Sequence, residues 1–201
     1  MNMNKKYYFV LYCLALTCFI QNCVLIATAT DNNDGTLDLL QPPFGIHLTV
    51  AKCSQVDTSG NNMYNAASND CSNGTAGTFQ YCTSNSIGCL DLKSDTTRNG
   101  ADSEAYQTCA NLTLADRKWR VPDRTTGELD DIYYVYSHDK SLFPGTIATP
   151  NSFYWTSRAY APYNYTVLGA YALSFYNGDE RTPDTTVHNY VRCVSGGVKR
   201  K

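Results

Sequence analysis

Apolar and polar positions alternate along several stretches of this chain, and a helical spacing replaces the alternation in two others. Ile46, Leu48 and Val50 fall on one side of Gly45-Ile46-His47-Leu48-Thr49-Val50, the period-two pattern of a half-buried strand. Between residues 167 and 176, Val167, Tyr171, Leu173 and Phe175 share one face, Ala170, Ala172 and Ser174 share the other, and Asn177-Gly178 follows as a hairpin-type turn. Strands are also predicted at 152–157 and 187–195, with a short one at 78–82. Ala105, Tyr106, Cys109 and Leu112 line one face of a helix over 102–112 and turn Cys109 inward. Leu129, Ile132, Tyr133 and Tyr136, at i, i+3, i+4 and i+7, signal a second helix that ends near Ser137. Ahead of it, Thr125-x-x-Glu128 has the form of a capping box, in which each side chain takes a backbone N–H that the first turn leaves unpaired. Strand, loops, two helices and then several strands predict an α+β fold.

From residue 52 to 100 the periodicity gives way to Ser, Asn, Gly and Thr, with Cys53, Cys71, Cys82 and Cys89 among them. Such a composition buries little apolar area, so disulfides are expected to fix it in place of a core. At the other end, Lys5 and Lys6 precede an apolar run over 7–20, and Ala27-Thr28-Ala29 supplies small residues. Residues 1–29 therefore read as a secretory signal, which predicts a secreted or cell-surface protein. Gln21 and Asn22 interrupt the run short of the about 20 apolar residues a membrane helix needs, which leaves lipid or membrane anchoring as the lesser alternative. The rest reads as a single domain over 30–198 with a basic tail, Lys199-Arg200-Lys201. Three of the nine cysteines lie in the leader. The six that remain, Cys53, Cys71, Cys82, Cys89, Cys109 and Cys193, predict three disulfides, without fixing their pairing.

The charge balance narrows the partners. Lys+Arg 16 against Asp+Glu 18 gives a formal charge of −2, and without the leader's two lysines it becomes −4. There is no basic footprint for phosphates, so no nucleic-acid partner is predicted. His47, His138 and His188 stand singly and no Cys-x2-Cys occurs, so no metal site is predicted. Asp31-Asn-Asn-Asp-Gly35 has Gly where a calcium loop needs a ligand and reads as a turn. Asp130 and Asp131 diverge by about 100° on a helix and read as a solvated face. No Gly-x-Ser-x-Gly, His-Glu-x-x-His or phosphate-cradling glycine loop is present, so neither a catalytic residue nor a cofactor is predicted.

An ordered set of short motifs points further. Trp119-Arg120-Val121-Pro122, Glu128-Leu129, Tyr154-Trp155-Thr156-Ser157, Ala172-Leu173-Ser174-Phe175 with Asn177-Gly178, and Tyr190-Val191-Arg192-Cys193-Val194 together resemble the C-terminal domain of bacterial collagen-like adhesins. The likeness covers about 105–197, and Asp31-Asn-Asn-Asp-Gly-Thr-Leu37 is similar to that family's opening turn. It implies a C-type-lectin-like fold with two helices and a small, twisted antiparallel sheet, related in architecture to formylglycine-generating enzymes. It also implies a Cys109–Cys193 disulfide, which would tie helix to sheet. For the other four cysteines the expectation is Cys53 with Cys71 and Cys82 with Cys89. The family's Thr-Gly-Leu-Met-Trp stretch is missing, the span from Trp119 to Glu128 is two residues longer, and 52–100 is an insertion. Within the motifs, Trp119 and Trp155 read as core, and Arg120 and Arg192 as structural, capping carbonyls or pairing with a carboxylate.

The chain has 16 Tyr, and several crowd the segment between the strands at 152–157 and 167–176. Tyrosine offers large amphipathic contact area at little rotamer cost. Arg158, Tyr160, Tyr163, Asn164 and Tyr165, with Asp179, Glu180, Arg181 and Asp184 on the following hairpin, are the candidate contact surface. The expected function is an exported, non-enzymatic, adhesin-like module that recognises a glycan or a cell-surface or extracellular protein. The family's sulfated polysaccharides suit an acidic chain poorly. The alternatives are a component of a surface homo-oligomer and an enzyme related to formylglycine generation, the latter requiring a reactive thiol.

Overall fold

The computed structural model describes residues 28–41, 46–83, 103–160 and 169–196. Its strands are β1 (Thr28–Asp31), β2 (Thr36–Gln41), β3 (Ile46–Ala51), β4 (Phe79–Gln80), β5 (Tyr154–Tyr160), β6 (Gly169–Leu173), β7 (Glu180–Arg181), β8 (His188–Asn189) and β9 (Val194–Gly196), and its helices are α1 (Glu104–Ala110) and α2 (Glu128–His138). The fold is α+β. Instead of one small sheet, the described strands form three antiparallel ones, ordered β1-β2-β3-β9, β5-β6-β7 and β4-β8. The reason lies in 187–195, which the alternation presents as one strand. Val191, Arg192 and Cys193 are wholly buried, so the chain runs through the interior there, leaving β8 on β4 and β9 on β3.

Asp31-Asn-Asn-Asp-Gly35 does form a turn, and it joins β1 to β2, a hairpin the alternation does not announce. The Asp31 carboxylate accepts from the Asn33 N–H and that of Asp34 from the Thr36 N–H, while Gly35 takes a left-handed φ of 86°. Thr28 and Ala29, the last residues of the expected leader, pair with Leu40 and Leu39.

Two apolar clusters lie on either side of β6, as its alternation requires. Ala170 and Ala172 join Trp119, Trp155, Tyr81, Val191 and the Cys109–Cys193 pair. Leu173 joins Leu37, Leu48 and Val50 of the large sheet with Leu129, Ile132, Tyr136, Phe143 and Phe175. Each of the leucine, isoleucine, valine and phenylalanine side chains so removed from water contributes about 1.5–3 kcal/mol. Both tryptophans are core residues.

The first part of the insertion is docked onto α1. Cys53 and Cys71 form a disulfide that encloses a small cluster with Met63, Val56 and Tyr64. Thr108 donates to the Asp57 carbonyl, and Asn111 donates to that of Thr58 at 2.7 Å. Gly60, at φ 90°, lies so close that a Cβ would come within 2.2 Å of the Asn111 carbonyl oxygen. Cys109 of α1 is bonded to Cys193. Cys82 is also disulfide-bonded; its expected partner, Cys89, lies outside the described residues.

Helix α1 is shorter than its apolar spacing suggests and is capped by the Ser103 hydroxyl, which accepts from the Tyr106 N–H. Helix α2 corrects the capping box. Its N-cap is Gly127, left-handed at φ 71°, with no side-chain cap. The Thr125 hydroxyl is taken by the Asp123 carboxylate. Glu128 instead receives both Arg120 nitrogens, at 2.6 and 2.7 Å, and the Asp123 N–H at 2.7 Å. A bidentate guanidinium is a stronger claim on a carboxylate than an orphan amide, so Glu128 faces Arg120 rather than the cap. Glu128→Ala should therefore cost about 1–3 kcal/mol in urea titrations through the unpaired donors left behind, while Thr125→Ala stays within about 0.5 kcal/mol as a surface change.

Arg192 closes the interior. It is 0% exposed and donates to the carbonyls of Ala51 and Lys52 at 3.0 and 2.6 Å, to Thr146 Oγ1 at 2.6 Å and to Ser54 Oγ at 3.4 Å. The rings of Phe143, Tyr154 and Phe175 lie 5.3 to 5.9 Å from its guanidinium carbon. Burial pushes its pKa below the ordinary arginine value, yet a guanidinium stays charged in proteins.

Candidate functional site

Sheet β5-β6-β7 carries or adjoins the described residues among the contact-surface candidates, and its register decides which of them meet. Tyr160 pairs with Gly169, and Gly169 bridges to Asp184, so Tyr160, Gly169 and Asp184 form one row at the end where residues 161–168 depart. At the other end, Tyr154 pairs with Leu173 and Leu173 with Glu180. Four residue steps of β6 separate these rows, about 13 Å at strand rise. The nine candidates therefore divide. Arg158, which is exposed, lies near the first row in the same strand; Asp179, Glu180 and Arg181 lie near the second. Tyr163, Asn164 and Tyr165 lie outside the described residues.

The first row is tightly built. Ala170 donates its N–H to the Pro183 carbonyl, and a Cβ on Gly169 would come within 2.8 Å of the Thr182 carbonyl oxygen. Only glycine lets the 182–184 segment approach so closely. The Asp184 carboxylate accepts from the Thr186 N–H and hydroxyl at 2.8 and 2.7 Å, which fixes its orientation. Beneath the row, Ser157 gives its carbonyl to the hydroxyls of Tyr81 and Tyr106, both at 2.8 Å. The strand that presents Arg158 is thereby anchored to the core.

At the second row the candidates point to opposite faces, because strand residues alternate. The Arg181 guanidinium lies 4.8 Å from the Phe153 ring centroid. Glu180 shares the face of Tyr171 and is paired to Arg124 at 2.6 Å, while the Arg124 guanidinium lies 5.3 Å from the Tyr171 ring. Asp179 is bonded to the Asn177 amide at 2.6 Å in the turn. Tyr176 stands 58% exposed on that turn. Neither Tyr176 nor Arg124 is among the nine candidates. Tyr176 had a signal, since it sits directly before Asn177-Gly178, where the chain turns to solvent; Arg124 had none.

Asp130 of α2 is exposed as a residue and Asp131 is half-buried, but the Asp130 carboxyl lies back toward Gly127 and loses part of its hydration there, so the solvated-face expectation holds only in part. Desolvation raises the Asp130 pKa above the ordinary carboxylate value and Glu180 adds to the rise, against the pull of Arg124. A carboxylate with a raised folded pKa lowers stability as pH rises through its titration range, because the unfolded chain ionises more readily. Asp130→Asn should raise the melting temperature at pH 7, and the gain should disappear as the pH is lowered below the carboxylate range.

Among the described residues no group of three or more His, Cys, Asp or Glu is placed to hold a metal ion, and no helix is long and apolar enough to cross a membrane. A scan against protein-family models and searches of curated proteins and of solved structures found no match to this chain.

Proposed function

We propose that this chain is an exported, non-enzymatic recognition module that binds a glycan or a cell-surface or extracellular protein through the end of sheet β5-β6-β7. The observation that carries the reading is the row Tyr160, Gly169, Asp184, with Arg158 exposed close by, at the base of the aromatic segment 160–165. Recognition residues belong on loops that a rigid scaffold positions, and here the scaffold is anchored by buried hydrogen bonds and the core. Tyrosine, which this segment repeats, is a residue that supplies stacking area for sugar rings or protein surfaces. We take the fold as C-type-lectin-like and the chain as akin to the C-terminal domain of collagen-like adhesins. Two helices, antiparallel sheets, the buried Trp119 and Trp155 and the Cys109–Cys193 link support that reading. The acidic charge favours neutral glycans or basic protein surfaces over sulfated polysaccharides.

The test is a glycan and extracellular-matrix array probed with residues 30–201, wild type against a Tyr160→Ala, Tyr163→Ala, Tyr165→Ala variant of matched melting temperature. Saturable binding by the wild type that drops at least about tenfold in the variant is expected, since a few aromatic anchors carry most of such an interface. Binding that the variant retains would place the site elsewhere.

A further inference from the structure

Beside the turn that joins β1 to β2 sits a group of side chains that the recognition reading does not use. The Lys52 side chain is 5% exposed, and its Nζ lies 2.6 Å from Asp31 Oδ2 and 2.7 Å from the backbone carbonyl oxygen of Asn69. The same Asp31 oxygen accepts from Asn69 Nδ2 at 3.1 Å. Asn69 Nδ2 also donates to Asn33 Oδ1 at 2.8 Å, and the Tyr64 hydroxyl donates to Asn69 Oδ1 at 3.3 Å and to the Asn33 carbonyl at 3.1 Å. Asn69 holds a left-handed backbone, φ 50°, in which both its carbonyl and its amide meet this group.

We propose that the folded chain joins Lys52 Nζ to Asn69 Cγ in an amide crosslink, with Asp31 as the proton carrier and Tyr64 polarising the carbonyl. Lys52 is the nucleophile, and a carboxylate that touches both the attacking and the leaving nitrogen is placed to serve each in turn. Nζ gives a proton to Asp31 Oδ2, and its freed electron pair attacks Cγ. The Tyr64 O–H meets the negative charge that builds on Oδ1. Asp31 then passes its proton to Nδ2, the Cγ–Nδ2 bond breaks, and the second proton shed by Nζ leaves with the departing nitrogen as ammonium. An ammonium and a primary amide become a secondary amide and an ammonium ion; nothing is oxidised or reduced, and Asp31 is restored. The bond would close nearly the same loop as the Cys53–Cys71 disulfide and would hold it when that disulfide is reduced.

The experiment is the intact mass of the folded, full chain after complete reduction, followed by tryptic mapping. The expected result is a loss of about 17 Da, the ammonia released in the acyl transfer, with trypsin failing to cut after Lys52 and fragment ions joining Lys52 to Asn69. Asp31→Ala, with Lys52 and Asn69 retained, should restore the sequence mass and the cut. A wild-type protein of full sequence mass that is cut after Lys52 would overturn the proposal, as would a loss that maps to one residue or a bond between Lys52 and Asp31. The wild-type mass decides the matter even where a variant does not fold.

Discussion

Replacing Arg192 by methionine should lower stability by about 3–5 kcal/mol, and replacing it by lysine should recover little of the loss. The guanidinium reaches two carbonyls and two hydroxyls at once, on the last residue of β3 and the segment after it and on the 143–146 segment. Methionine fills part of the volume but leaves the carbonyls of Ala51 and Lys52 buried without these donors. Lysine keeps the charge, yet one nitrogen cannot reach four acceptors, and it gives up the guanidinium's place over the rings of Phe143, Tyr154 and Phe175. Urea unfolding of the two variants measures this. A lysine variant within about 1 kcal/mol of wild type would mean that charge alone, without the fork, holds the interior together.

The second large effect is expected at Cys109 and Cys193. They are 84 residues apart, against 18 for Cys53 and Cys71, and a longer closed loop removes more freedom from the unfolded chain. Replacing Cys109 and Cys193 together by alanine should cost about 4 kcal/mol, and replacing Cys53 and Cys71 together about 3 kcal/mol. The gap is expected to widen in practice, because the first pair also sits in the Trp119 and Trp155 cluster. Melting temperatures of the two double variants test the order. A reversal would show that the docking of the insertion on α1 depends on its own staple more than on Thr108 and Asn111.

Elements that bury one face were legible in the sequence. The apolar spacing of α2 and the alternation of β6 correspond to what each face packs against, since Leu129, Ile132 and Tyr136 join Leu173 while Ala170 and Ala172 join Trp155. Contacts made by short polar side chains to distant carbonyls were not legible. Thr108 to Asp57 and Asn111 to Thr58 follow no period, so the insertion's docking had no signal. The capping box failed because its glutamate had a stronger partner in Arg120, eight residues earlier. For the candidate site, the strand rule was available and decides the outcome: neighbours such as Glu180 and Arg181 must face opposite ways, so contiguity in sequence did not make one patch.

The recognition reading is tested most directly by carboxyl-group footprinting of residues 30–201, free and bound to a ligand identified on the array. Protection is expected to centre on Asp184 and to leave Asp57 and Asp70 of the insertion unchanged. Protection at Asp57 or Asp70 with Asp184 still reactive would contradict it, and would move the contact from the end of sheet β5-β6-β7 to the insertion.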